Sequence, residues 1–77
     1  MIQFEEGQIL EEFSGMKSKA LISSHIVIKV HDLAVHCVTI YDKRLTYGSP
    51  PARVKIMKRE IRMKYGIGCW TINGEKV

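Results

Sequence analysis

The sequence predicts a small α+β domain, and three observations carry that prediction. A two-residue hydrophobic period runs from Lys19 to Asp42, as in paired strands. The stretch from Ser49 to Ile67 reads as a helix with its own start and stop signals. A short apolar run with turn glycines, Gly68–Gly74, then reads as a closing strand with Trp70 and Ile72 inward.

The elements follow in chain order. Ile2 and Phe4 alternate as in a short strand, and Glu5-Glu6-Gly7 forms a turn signal. Ile9, Leu10, Phe13 and Met16 then recur at roughly helical spacing between Gly7 and Gly15, which predicts a short helix over residues 8–16. The competing reading is a hairpin whose second strand is Gln8 to Phe13. In KALISSHIVIKV, Ile22, Ile26, Ile28 and Val30 share one face, and Leu21, Ser23, His25, Val27 and Lys29 share the other. A turn at His31-Asp32 leads into LAVHCVTIYD, and a two-residue turn would pair Ile28 with Val35 and Ile26 with Cys37. His-Asp is not a favoured two-residue pair, so a longer loop is the alternative. The opposite face, with Val27, His36, Val38 and Ile40, is apolar enough to predict partial cover.

Residues 43–49 form a polar connection. In the helix that follows, Ser49 is the expected N-cap and Pro50 stands where a missing N–H costs nothing. Gly66, in the left-handed conformation, is the expected stop. Residues 75–77 are expected to be a frayed tail. The resulting order, strand, helix, strand, strand, helix, strand, is the ferredoxin-like βαββαβ arrangement. With residues 8–16 in a hairpin instead, the prediction becomes an antiparallel sheet with one C-terminal amphipathic helix packed across it. Two fragments bear on the same class. Val30-His31-Asp32-Leu33 resembles the second-strand motif of the cytoplasmic C-terminal domain of cation-diffusion-facilitator metal transporters. Tyr65-Gly66-Ile67 through Thr71-Ile72 resembles that domain's last helix-to-strand passage. The interval between the fragments is shorter than in that family and no membrane segment accompanies them, so the resemblance implies a fold class and nothing more.

Length and composition narrow the function. A chain of 77 residues with 45% hydrophobic and 26% charged residues supports one small core, hence a single domain over 1–77. Two cysteines are too few for a disulfide framework, and the acidic N-terminus lacks an apolar signal region, which predicts a cytoplasmic protein without a membrane span. Between Ser49 and Ile67, Arg53, Lys55, Lys58, Arg59, Arg62 and Lys64 are opposed only by Glu60, a net of +5 against +4 for the whole chain. Cations concentrated on one element favour a polyanionic partner.

The leading expectation is a non-enzymatic regulatory protein that engages nucleic acid or a nucleoprotein machine. Lys55, Lys58, Arg59 and Arg62 would make the contact, extended by Lys43 and Arg44. On a helical wheel, Val54, Met57, Ile61 and Tyr65 form the sheet-facing stripe, while Ala52, Ile56 and Met63 fall almost opposite. That second stripe motivates the alternative, a protein-interaction module or inhibitor of the phage or mobile-element kind that binds, or dimerises, through Ile56 and Met63. No cofactor, metal or catalytic residue is expected. There is no CxxC pair, no helical His pair and no phosphate-binding glycine loop before a helix. His25 and His36, placed on one sheet face, are the nearest approach to a zinc pair, and Cys37 and Cys69 read as small buried hydrophobes.

Overall fold

The computed structural model describes residues 2–14, 20–44 and 52–74. They form a five-stranded, wholly antiparallel sheet with one helix: β1 (Ile9–Phe13), β2 (Leu21–Val30), β3 (Ala34–Asp42), β4 (Ala52–Met57), α1 (Lys58–Gly66) and β5 (Trp70–Ile72). The strand order is β4-β3-β2-β1-β5. The chain therefore lays down four strands as a meander. It then crosses the sheet through α1 and adds β5 beside β1.

The fold is thus the antiparallel sheet with one helix across it. Residues 8–16, expected as a helix, contain β1 instead, so the described residues do not follow the βαββαβ order. A two-turn helix is marginal on its own. As a strand, the same segment is hydrogen-bonded on both sides, to β2 and to β5, and it buries Leu10 completely. The turn signal before it holds: Gly7 has φ 89° and the Gln8 N–H reaches the Glu5 carbonyl. Ile2 and Phe4 lie outside any strand.

The largest correction concerns residues 52–57. They form β4, and the helix begins only at Lys58. The run Arg53-Val54-Lys55-Ile56-Met57 alternates at period two as well as it fits a helical wheel, and pairing with β3 turns Val54 and Ile56 toward the core. Ser49 and Pro50, the expected helix start, lie outside the described residues. Met57 stands at the N-cap in an extended conformation without a side-chain cap, while the Lys58 N–H donates to the Leu33 carbonyl at 2.9 Å. At the other end the left-handed residue is Gly68 (φ 80°) and not Gly66. The Gly68 and Cys69 amides close the last turn on Tyr65 and Lys64.

The β2–β3 pairing differs from that of the two-residue turn by two residues beside the loop and by one between the two bulges. The connection runs from His31 to Ala34, closed by the His31 N–H to the Ala34 carbonyl, and Val30 pairs with Val35. One step of register exchanges the faces. Val27 now pairs with Cys37 and His25 with Thr39, and these residues turn inward, while Ile26 and Val38 face out. Two bulges adjust the ladder, leaving Ile28 on β2 and Ile40 on β3 as the extra residues, both exposed. The inner face, covered by α1, holds Leu10, Val27, Val35, Cys37, Ile61 and Trp70 as one cluster. No helix among the described residues is long and apolar enough to cross a membrane.

Candidate functional site

The basic residues singled out by the sequence do not share one helix. Lys55 projects from the outer face of β4, where its ladder partner is His36. Lys58 opens α1, and Arg62 stands one turn later on the same face. Both sit over the Phe4 ring, the Lys58 ammonium 5.7 Å and the Arg62 guanidinium 5.4 Å from its centroid. Phe4 itself packs against the core, so the two cations are held on a fixed platform. Arg59 is exposed between them. Lys43 is exposed in the turn after β3. Arg44 is committed elsewhere: its Nε and a terminal nitrogen each lie 2.9 Å from an Asp42 oxygen, and it also approaches Glu12. That fork holds the Asp42 carboxyl below the usual carboxylate range.

The two apolar candidates also separate. Ile56 is on β4, half-buried against the core opposite Val35, whereas Met63 is on α1 and 64% exposed. They are not one stripe, because the wheel that joined them included a strand. The face expected to carry Val27, Val38 and Ile40 is likewise divided, with Val27 in the core and the other two outward.

Charge is sorted across the described residues. Glu12, Asp42 and Glu60 are paired with Arg44 and Lys64. Among the described residues no carboxylate pairs with Lys29, Arg53, Lys55, Lys58, Arg59 or Arg62. These cations run over the outer face of β2 and β4 and around the sheet end where the Leu33 carbonyl meets α1. Lys29, His31 and His36 were not singled out as part of this field. Period-two spacing puts Lys29 and His36 on one face together with His25 and Val27; the bulge at Ile28 keeps Lys29 and His36 outward and lets Val27 and His25 turn inward.

The inner face carries a second, acidic-rimmed cluster. Ser23, His25 and Thr39 are buried side by side. His25 Nδ1 is 2.9 Å from the Thr39 hydroxyl, and Nε2 is 3.0 Å from the Ser23 hydroxyl, which is also 3.2 Å from Glu12. The imidazole stacks on Trp70 at 5.7 Å and 23°. Burial lowers the His25 pKa, against the opposing pull of Glu12 and Asp42. Lys64 bridges Glu12 and Glu60 above the cluster, which opens to a cavity of about 250 Å³. Ser23 is 0% exposed and the second imidazole nitrogen meets a hydroxyl rather than a carboxylate, so the group presents no accessible nucleophile.

The His25–His36 zinc pair does not form, because the two residues lie on opposite faces of the sheet. Among the described residues no three His, Cys, Asp or Glu side chains gather to hold a metal ion. Cys37 is a core residue, its thiol pushed up to about 11 by burial. Comparison with protein-family models, curated proteins and solved structures finds no match to this chain.

Proposed function

We propose that the protein is a small non-enzymatic binding module that engages nucleic acid, alone or within a nucleoprotein machine, through the cations of β4 and α1. The observation that carries this reading is that, among the described residues, no carboxylate pairs with Arg53, Lys55, Lys58, Arg59 or Arg62, while Glu12, Asp42 and Glu60 are taken up by Arg44 and Lys64. Like charges gathered without counter-charges repel one another, and a phosphate backbone relieves that repulsion while releasing its own counterions. The Phe4 platform under Lys58 and Arg62 supports the same reading, since cations already held in place lose less freedom on binding. Lys43 can extend the contact, whereas Arg44 would first have to leave Asp42.

Titration of a fluorescein-labelled duplex and a labelled single strand at increasing salt tests the proposal. Binding through four of these cations requires log Kd to rise with log salt at a slope of about 3. Affinity indifferent to ionic strength, or no binding at low salt, contradicts it.

A protein partner is the second reading, and exposed apolar side chains on α1 and at its C-cap favour it: Met63 at 64% and Ile67 at 53%. A cytoplasmic antagonist or a homodimer would use this surface. Met63→Asp, at an exposed position, would then abolish partner capture or dimerisation while leaving the melting temperature unchanged.

A further inference from the structure

The antiparallel ladders place three basic side chains abreast on the outer face of the sheet. His36 on β3 has Lys29 of β2 as its partner on one side and Lys55 of β4 on the other. The His31 ring, from the turn, meets the His36 ring at 4.3 Å between centroids and 49° between planes. His31, His36 and Lys55 line one open cavity of about 650 Å³, walled by Leu33 and Met57. Asp32 is the one carboxylate among the described residues that lines it, and it does not pair with Lys55; Lys29 lines the adjoining cavity, beside Glu5 and Glu6, and pairs with neither.

Directly opposed like charges weaken a sheet, and cross-strand neighbours of opposite charge support it. Here the row carries no opposite charge at any of its three positions. Two ammonium groups flanking the imidazoles would repel a divalent cation as strongly as they attract an anion. We infer that this row is a phosphate seat: Lys29, His36 and Lys55, with His31 against them, hold one backbone phosphate of the nucleic acid, and His36 takes up a proton as that phosphate docks. The inference rests on the nucleic-acid reading above and deepens it by naming a second contact surface and its pH dependence.

The sign follows from the local field. In the free protein His36 titrates below the ordinary histidine value, first through partial burial and then through the positive neighbours His31, Lys55 and Lys29. The facing acids are Asp32, from the turn, and Glu5 and Glu6, which line the adjoining cavity beside Lys29. A phosphate set among these groups reverses the field and favours the imidazolium. A proton bound more tightly in the complex than in the free protein means that affinity rises as pH falls.

Binding of the labelled duplex and single strand is measured at constant salt at about pH 6 and about pH 8, the interval in which histidine charge changes. Wild type is expected to bind about three- to tenfold more tightly at the lower pH, one added cation being the source. His31→Gln with His36→Gln removes that ratio while retaining binding at the higher pH. Lys29→Gln is expected to lower the salt slope by about 0.7 to 0.9. Identical pH ratios in wild type and the double variant overturn the seat and leave the nucleic-acid reading standing. A second arm follows the His31 and His36 ring resonances by NMR as pyrophosphate is added. Shifts with pyrophosphate but no oligonucleotide binding overturn the assignment to nucleic acid, the ligand then being a free phosphate. No shift and no binding overturn both. These side chains project from the outer face, so unchanged circular dichroism confirms that the variants fold.

Discussion

His25 is the residue at which the sequence misleads most. Polar side chains within a strand ordinarily face water, yet Ser23, Ser24 and His25 are all buried. Hydrogen bonds between the two imidazole nitrogens and the Thr39 and Ser23 hydroxyls, and from the Ser24 hydroxyl to Glu11, remove the penalty that would otherwise keep them out. The burial has a pH signature. The folded His25 pKa lies below the unfolded value, so its contribution is complete above about pH 6.5 and is lost as pH falls through the folded value. Asp42, also lowered by its bond to Arg44, adds a loss of the same sign at lower pH, as its carboxyl protonates. Thermal melts should therefore shift down steadily from pH 7 toward pH 4, and His25→Gln should flatten the upper part of that profile. A melting temperature that rises on acidification contradicts this account. Cys37 gives a second residue-scale prediction: buried and held as the thiol, it should stay unlabelled by maleimide in the folded protein and react on denaturation.

At the scale of elements, legibility tracked how many physical signals agreed. The β2–β3 pair and the last strand were legible because apolar periodicity and turn residues coincide there. The start of α1 was not, because Val54-Lys55-Ile56-Met57 satisfies both a strand and a helix, and only pairing to β3 decides. β1 was misjudged for the opposite reason. Its helical spacing is local, while the β2 and β5 ladders that fix it come from residues far along the chain. The corrected boundaries predict opposite outcomes for two substitutions that the helical wheel treated alike. Ile56→Asp places a charge against the core and should cost about 2–4 kcal/mol, whereas Met63→Asp should stay within about 0.5 kcal/mol. Equal effects in denaturant melts would mean that β4 is a helix after all. Ile61 is the one fully buried side chain on α1, and Ile61→Ala should cost about 2–5 kcal/mol. Loss of less than about 1 kcal/mol would show that the helix does not anchor there.

For the molecule as a whole, excess charge was legible from composition, but its distribution was not. The sequence concentrates cations between Arg53 and Lys64, and a helix would have made them one rod. The structure instead spreads them from β4 onto α1, and it joins Lys29 and two histidines to them across the ladder. Arg44 and Lys64 are withdrawn to neutralise the acids at the inner cleft. Among the described residues Arg44 and Lys64 thus serve the fold, and at least six other cations have no carboxylate partner. That sorting is the central claim, and the difference in salt slope between two variant sets tests it most directly. Lys55→Gln, Lys58→Gln, Arg59→Gln and Arg62→Gln together should reduce the slope for oligonucleotide binding by about 3, while Arg44→Gln alone should leave it unchanged. A fourfold variant that keeps the wild-type slope, or an Arg44→Gln variant that loses as much, would contradict the account.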